Sequence, residues 1–545
     1  LRPTPLNYSD RTRRATDTLA LIAFCGFLFF VGLQLIGVVG ADEPRYAQVA
    51  REMLARHDWV TPVLYGNAWL EKPPLYYWGA MLAYKATGGV SDTAAKLPSV
   101  VLSCLLVFFI YLWARRFRPG MQLDAALITA SAVMIIAFGR AASTDMPLAA
   151  TFTLAMLCWF GWYAGKGKAS LFGFYLFLAL ATLAKGPVAV LLAAMIVVAF
   201  AALRRDWRLL GQTLWPIGIT LYLAVSAPWF IAVQRANPQF FREFFLQHNL
   251  QRFATNLYHH PQPFWFYWAV ILVALAPWTV FAVEAVVDAV RGWRSAAQRS
   301  EPEEALRIYL SLWLLLPIIF FSLSRSKLPG YILPAIPAAT ILLADFILRR
   351  EQSGAKPAQW MVLLHGLLCA GMLAAAFIAP FKLLHLDLPR GVLIIAITLA
   401  VITILMLWMT LRSQGYRMLR FATLLPLLIA FALTLKGTAP TINLSQSERP
   451  VEAALEQTEL GRIPEIAAYD IGAAREYGLA FYRNHRLASY DTDEIPAGDH
   501  IVVAAAGTQK ELEYRLPGRK VVRFGGFTLQ HLDFYFVTKA SASTP

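Results

Sequence analysis

Asp42 and Glu43 open the first polar loop of an otherwise apolar chain, in the run Gly40-Ala41-Asp42-Glu43-Pro44-Arg45-Tyr46. Glu71-Lys72-Pro73-Pro74-Leu75-Tyr76-Tyr77 follows in the same loop. Carboxylates at the mouth of a membrane span are costly to place there and point to function. Asp42 reads either as the N-cap of the helix that follows it or as a carboxylate facing a reacting centre. Glu43 reads as the partner of a nearby arginine or as a second contact in that centre. Asp145, after Gly139-Arg140-Ala141-Ala142-Ser143-Thr144, reads as a cap of its own helix or as a companion to Asp42.

The cations suggest a phosphate. Lys72 could form a surface salt bridge with Glu71, but neighbours in sequence seldom face each other well, which favours an anionic ligand. Lys327, in Ser324-Arg325-Ser326-Lys327-Leu328-Pro329-Gly330-Tyr331, could snorkel to an interface or serve the same anion. His248 and Arg252 are four apart and share a face of an expected helix; a guanidinium suits a bidentate phosphate contact. His248 fits either packing or a site role. Glu71, His259 and His260 are the residues that could hold a divalent ion near the phosphate, although they are scattered in sequence.

The elements that must position these groups are membrane spans. The chain has 545 residues, 58% of them hydrophobic and 15% charged, with a mean hydropathy of +0.51. That composition belongs to multi-span membrane proteins. The formal charge of +15 collects in short loops between apolar runs rather than in a nucleic-acid-binding patch. Cys25, Cys104, Cys158 and Cys369 all fall inside apolar runs, so no structural disulfide or thiolate metal cluster is expected. The first apolar run lacks a small-residue cleavage site and reads as a retained span.

Thirteen spans are expected, near 19–39, 94–114, 121–138, 145–164, 169–184, 186–203, 212–233, 264–287, 306–323, 328–348, 360–380, 390–411 and 417–436. A cytoplasmic N-terminus puts Arg115, Arg116, Arg118, Arg204, Arg205, Arg349, Arg350, Arg412 and Arg420 inside, as the positive-inside rule asks. An odd count then leaves the C-terminus outside. Against that pattern, Lys72, Arg140, Lys185, Arg235, Arg242, Arg252, Arg325 and Lys327 lie in outside segments with Asp42, Glu43, Glu71 and Asp145. Cations gathered beside a membrane suit a phosphate. The expected organisation is a membrane domain, 1–436, with outside loops 40–93 and 234–263, and a small soluble α/β domain, 437–545. Strands are expected at 501–503 and 534–536, and helices near 450–459 and 508–514.

There is no Walker A loop, dinucleotide fingerprint or Gly-x-Ser-x-Gly elbow in the sequence. A group-transfer enzyme on the outer face needs a donor that arrives through the membrane. A sugar carried on a polyprenyl phosphate meets that need: tail among the spans, phosphate at the cations, sugar above Asp42.

Several motifs support this reading. Asp42-Glu43-Pro44-Arg45-Tyr46, Asp58-Trp59-Val60-Thr61-Pro62, Glu71-Lys72-Pro73-Pro74-Leu75, Asp145-Met146-Pro147-Leu148, Lys185-Gly186-Pro187-Val188 and Ser326-Lys327-Leu328-Pro329-Gly330-Tyr331 resemble the bacterial 4-amino-4-deoxy-L-arabinose transferases that modify lipid A. These belong to the GT-C class of integral-membrane glycosyltransferases and are related to protein O-mannosyltransferases.

The resemblance implies an inner-membrane enzyme of mainly α, GT-C fold with its active site and C-terminal domain in the periplasm. It implies undecaprenyl phosphate-aminoarabinose as donor, a lipid A phosphate as acceptor, and resistance to polymyxin and cationic peptides as the consequence. By this likeness Asp42 is the catalytic carboxylate and Lys72, Arg252 and Tyr331 hold the donor phosphate; the reading of the residues adds Asp145 to the catalytic group and Lys327 to the phosphate contacts. Glu43, Arg45, Tyr46, Glu71, Tyr76 and His248 are the expected sugar and acceptor contacts. No cofactor is required, with a divalent ion near the phosphate as the option left open. The alternatives are a polyprenyl-phosphate-dependent glycosyl- or mannosyltransferase acting on protein or another glycan, and a polyprenyl-lipid transporter.

Overall fold

The computed structural model describes residues 8–165, 167–251, 262–296, 302–458, 460, 463 and 465–539. A helical bundle forms most of it. Among the described residues, nine helices are long and apolar enough to cross a membrane, or eleven if each of two bent pairs is one span. The thirteen expected segments map onto these helices unevenly. The segment 186–203 falls on Val188–Arg204, which is shorter than the rest. Both 390–411 and 417–436 fall within one long helical run, Arg390–Gln446. A 3-10 turn at Gly415–Met418 interrupts that run. Just beyond it Arg420 reaches Asp124 at one end of the bundle, while Ser447 bridges to Val39 at the other. The first helix starts at Tyr8, well before the expected start near Leu19.

Two expected spans are broken rather than straight. Gln122–Ser131 and Val133–Gly139 meet at 65°, and Phe266–Ala274 and Thr279–Trp293 at 117°. At the first break Ala132 is extended; at the second Pro277 intervenes. Backbone groups freed inside a bilayer must find protein partners. Here the two breaks serve each other. Val133 N–H donates to the Ala276 carbonyl at 3.0 Å. The Trp278 indole donates to Ser131 Oγ at 2.9 Å.

Buried and half-buried ion pairs, with one reaching an exposed Glu303, join helices at the end carrying the basic loops. Arg118 contacts Asp345 (2.7 Å) and Glu303 (2.5 Å), Arg349 contacts Asp288 (2.8 Å) and Asp345 (3.0 Å), and Arg420 contacts Asp124 (2.7 Å).

The first loop lies at the opposite end. It holds the helices Asp42–Ala55 and Leu75–Thr87 and a hairpin of β1 (Val63–Leu64) and β2 (Asn67–Ala68). Tyr76, Tyr77, Ala80, Met81 and Tyr84 form the buried face of the second helix and pack with Tyr46, Ala47, Ala50 and Met53 of the first.

After Gln446 the chain builds a five-stranded sheet from β3 (Ile466–Tyr469), β4 (Ala488–Ser489), β5 (His500–Ala505), β6 (Arg519–Phe527) and β7 (Leu532–Lys539), in the order β4-β3-β5-β7-β6. β3 runs parallel to β4 and β5, and β7 antiparallel to β5 and β6. The helices Arg449–Glu456 and Gln509–Arg515 lie where the sequence expects them. This region is fastened to the first loop. Arg449 contacts Asp92 at 3.0 Å and the carbonyl of Gln34 at 3.0 Å. Val38 N–H donates to Tyr482 Oη at 2.9 Å. Arg51 donates to the Phe481 carbonyl at 2.7 Å.

Candidate active site

Asp42 is the first residue of its helix, not the cap. Ala41 takes the cap position in an already helical conformation and makes no side-chain cap bond. The Asp42 carboxylate instead accepts a hydrogen bond from Arg45, one turn on. Its side chain is 54% exposed and that of Arg45 18%. Burial works against the charge of Arg45, but Asp42 and then Glu71 outweigh it and hold the guanidinium above its ordinary value.

Glu43 points the other way, into the loop's interior. Burial pushes its carboxyl above the usual range, against the pull of Lys96 and of the Ala142 and Val39 amides. Its cationic neighbour is therefore a lysine on the next span, not the arginine the sequence suggested. Lys96 is itself held by the carbonyls of Ile36 (2.6 Å) and Gly37 (2.9 Å). Among the described residues, Glu43 Oε2 is buried without a hydrogen-bond partner.

Glu71 and Lys72 do pair, at 2.6 Å, although adjacent in sequence, and both are buried. The Pro73-Pro74 step and the helix starting at Leu75 fix the backbone there. This pair is the middle of the site: Glu71 acts on Arg45, and Lys72 acts on Asp145.

Asp145 begins the helix Asp145–Gly165, and Ser143 Oγ accepts from its backbone N–H at 3.0 Å. Its Oδ1 accepts a bond from Lys185 Nζ, the last residue of the helix Lys168–Lys185. That helix stops because Gly186 takes φ +96°, and a Cβ there would come within 2.7 Å of the Phe244 ring. The turn Pro329–Ala335 closes over Asp145. A Cβ on Gly330 would lie 2.7 Å from Asp145 Oδ1, so only glycine permits the approach. The next residue, Tyr331, puts its ring 5.1 Å from Lys185 Nζ.

Asp42, Arg45, Glu71, Lys72, Asp145 and Tyr331 thus form one connected group, from segments that are far apart in sequence. Lys185 belongs to it; the sequence places it among the outside cations that suit an anionic ligand, without a site role of its own. A lysine ending an apolar run beside Gly-Pro is the signal that could have assigned it.

Other expected residues are placed differently. Tyr46 and Tyr76 are buried in an aromatic cluster with Tyr77, with ring centroids 5.9–6.3 Å apart. The Tyr76 hydroxyl donates to the Ala95 carbonyl at 2.8 Å, so it supports the floor of the loop rather than an open surface. Lys327 is buried and donates to the carbonyls of Gln262 and Ser324. Burial pushes its ammonium pKa down. Arg140, expected to seek a ligand, donates to the carbonyls of Leu28 (2.8 Å) and Val31 (3.0 Å), where the first span ends in a π-helical turn. Burial brings its pKa down to about 10. His248 lies in the π-helix Phe241–Gln251; Arg252, His259 and His260 lie outside the described residues.

Residues 71–231 match the family model described as dolichyl-phosphate-mannose-protein mannosyltransferase. A curated undecaprenyl phosphate-alpha-4-amino-4-deoxy-L-arabinose arabinosyl transferase of Pseudomonas aeruginosa (strain UCBPP-PA14) is 35% identical over 351 residues, covering 63% of this chain and 61% of that protein. The chain therefore aligns with about three fifths of the length of such relatives. One of the same name from Aeromonas hydrophila subsp. hydrophila is 28% identical, covering 84% of this chain and 83% of that protein. Among solved structures, that of ArnT from Cupriavidus metallidurans bound to undecaprenyl phosphate superposes with a TM-score of 0.75 at 22% identity, over 97% of this chain and 99% of that one. The archaeal oligosaccharyltransferase AglB from Archaeoglobus fulgidus, solved with an inhibitory peptide and a dolichol-phosphate, gives 0.51 at 11% identity, over 99% of this chain and 75% of that one. The chain is thus similar to the curated undecaprenyl phosphate-aminoarabinose arabinosyl transferases over about three fifths of their length, and is a multi-pass membrane protein with the fold of ArnT.

Proposed function

We propose that this protein transfers 4-amino-4-deoxy-L-arabinose from undecaprenyl phosphate to a phosphate of lipid A, at the periplasmic face of the bacterial inner membrane. One observation carries the reading: Lys72, Lys185, Asp145, Arg45, Asp42 and Tyr331 come together at one end of an apolar bundle. The names of the homologues supply the sugar and the carrier.

The reaction is a single inverting displacement. An oxygen of the acceptor phosphate attacks the anomeric carbon, and the bond from that carbon to the donor phosphate breaks. The electron pair leaves with undecaprenyl phosphate. Negative charge grows on that leaving group, where fixed cations lower the barrier by a few kcal/mol each, about 10²–10³ in rate. Lys72 and Lys185 are assigned this work, with Arg252 and Tyr331 on the same phosphate. An acceptor phosphate, with a second pKa of about 6, is already anionic at neutral pH and needs no base. Asp42 then orients the acceptor or binds the sugar's amine, and Asp145 holds Lys185 in place. The same cations take the role a divalent ion would have, and Glu71 already faces an ammonium. We therefore expect transfer to persist when divalent ions are chelated.

Orientation follows from charge. The basic loops lie at one end, and the candidate site and the C-terminal sheet at the other; the positive-inside rule puts the latter in the periplasm.

The test is purified full-length protein in vesicles with defined donor lipid and lipid A, the products resolved by mass. One aminopentose added to lipid A is the expected result. Sugar transferred to protein or to another glycan would replace this reading with the mannosyltransferase-like one. Movement of intact donor lipid across the bilayer without transfer would replace it with transport.

A further inference from the structure

We propose that Tyr477, carried by the region after the bundle, is a positioning residue of the candidate site: it holds the Arg45 guanidinium against Trp69 and, through it, the Asp42 carboxylate. This rests on the transfer reaction proposed above. It gives the C-terminal region a part in that reaction.

The geometry is a clamp. Arg45 Nε donates to the Ala41 carbonyl at 2.8 Å, and another guanidinium nitrogen binds Asp42. The guanidinium carbon lies 5.4 Å from the Trp69 ring centroid and 5.1 Å from that of Tyr477. Trp69 follows the β1–β2 hairpin of the first loop; Tyr477 lies on the helix Ala473–Arg483. Arginine stacks on aromatic faces while its edge keeps its hydrogen bonds. Arg45 is thus fixed by two rings from separate parts of the chain, and its largely enclosed side chain directs the more exposed Asp42.

Docking of the Tyr477 helix does not depend on Tyr477. One turn on, Phe481 lies 4.4 Å from the Arg51 guanidinium, and Arg51 also bonds the Phe481 carbonyl and Asn484 Oδ1 (3.0 Å). Tyr482 Oη accepts from Val38 N–H and lies 3.3 Å from Asp92. Removing the Tyr477 ring therefore frees Arg45 without releasing the helix.

The experiment measures transfer kinetics of the full chain in vesicles for Tyr477→Leu, Tyr477→Phe, Arg45→Ala and the Arg45→Ala/Tyr477→Leu pair. Tyr477→Leu is expected to lower kcat about tenfold with the KM for donor lipid unchanged, the size of a desolvated cation–π contact. Tyr477→Phe keeps the ring and restores kcat. In the Arg45→Ala background Tyr477→Leu adds nothing. Trp69→Leu removes the other face of the clamp and is expected to behave alike, which keeps the test decisive if Tyr477→Leu fails to fold. Unchanged kcat, a loss as large without Arg45 as with it, or no rescue by phenylalanine would each overturn the inference. Wild-type protein that transfers no sugar to lipid A would overturn the transfer reading instead.

Discussion

The two ends of the bundle use charge differently. At the end with the basic loops, buried or half-buried ion pairs join helices far apart in sequence: Arg118 to Asp345, Arg349 to Asp288 and Arg420 to Asp124. Asp345 is 1% exposed and receives two arginines. These pairs fix helix against helix. At the other end Arg449–Asp92 fastens the C-terminal region, but within the candidate site two of the pairs are local, Asp42 with Arg45 and Glu71 with Lys72, and the third joins the tips of two consecutive helices. Pairs held within a loop do little to fix the bundle, but they keep cations charged and aimed until an anionic ligand competes for them. One end is built for cohesion and the other for exchange.

That contrast predicts separate consequences. Asp345→Ala removes the buried carboxylate shared by Arg118 and Arg349, leaving Arg118 to the more exposed Glu303, and should cost about 3–5 kcal/mol of stability. Transfer per folded molecule should not change; denaturation in detergent beside activity checks both, and lost turnover beyond the lost folded fraction would break the comparison. Lys72→Gln should strike at the chemistry, lowering transfer per folded molecule by about 10²–10³, beside the stability lost with the buried Glu71–Lys72 pair. It should impair use of donor more than of acceptor; equal effects on both would contradict its place at the donor phosphate. Asp42→Asn should slow transfer by about a hundredfold through lost orientation, and full activity in that variant would remove Asp42 from the mechanism.

A pH effect sharpens the picture further. Burial pushes the Glu448 and Glu452 carboxyls, which pack against the helix Ala473–Arg483, up to about 7 from 4.5. A carboxyl that is raised in the native state binds protons more tightly there than when unfolded. Its contribution is full at low pH and is lost as pH rises from 4.5 to about 7. Glu448→Gln should therefore gain on wild type as the pH rises, by about 2–3 kcal/mol between about pH 5 and about pH 8. Thermal unfolding across that range checks this; a constant difference would reassign the strain. The smallest effect belongs to the exposed pair Arg486–Asp493. Its removal should shift stability by less than about 1 kcal/mol.

Much of this was legible in the sequence. Apolar runs located the helices, charge breaking the loop pattern located the site, and alternation located strands β5 and β7. What escaped needed contacts between distant segments. Nothing near Ala132 or Pro277 indicates that one break satisfies the other. Lys185 sits at the end of an apolar run, and only the fold brings it to Asp145. Glu43 suggested an arginine because arginines were near in sequence, yet the fold supplies Lys96. Arg140 looked available because it breaks the positive-inside pattern, but the irregular end of the first span leaves carbonyls that it fills. Asp42 missed the cap position because Ala41 is already wound into the helix.

The ties from Asn443 and Tyr482 to Gly37 and Val38 span 406 and 444 positions. On a ribosome adding about 5–20 residues each second, the first loop waits roughly 20–80 s for those partners to be made. Until then Arg45 has only one of its two flanking rings. A nascent chain already threaded into the membrane is thus kept short of full competence until the helix Ala473–Arg483 has been made and docked.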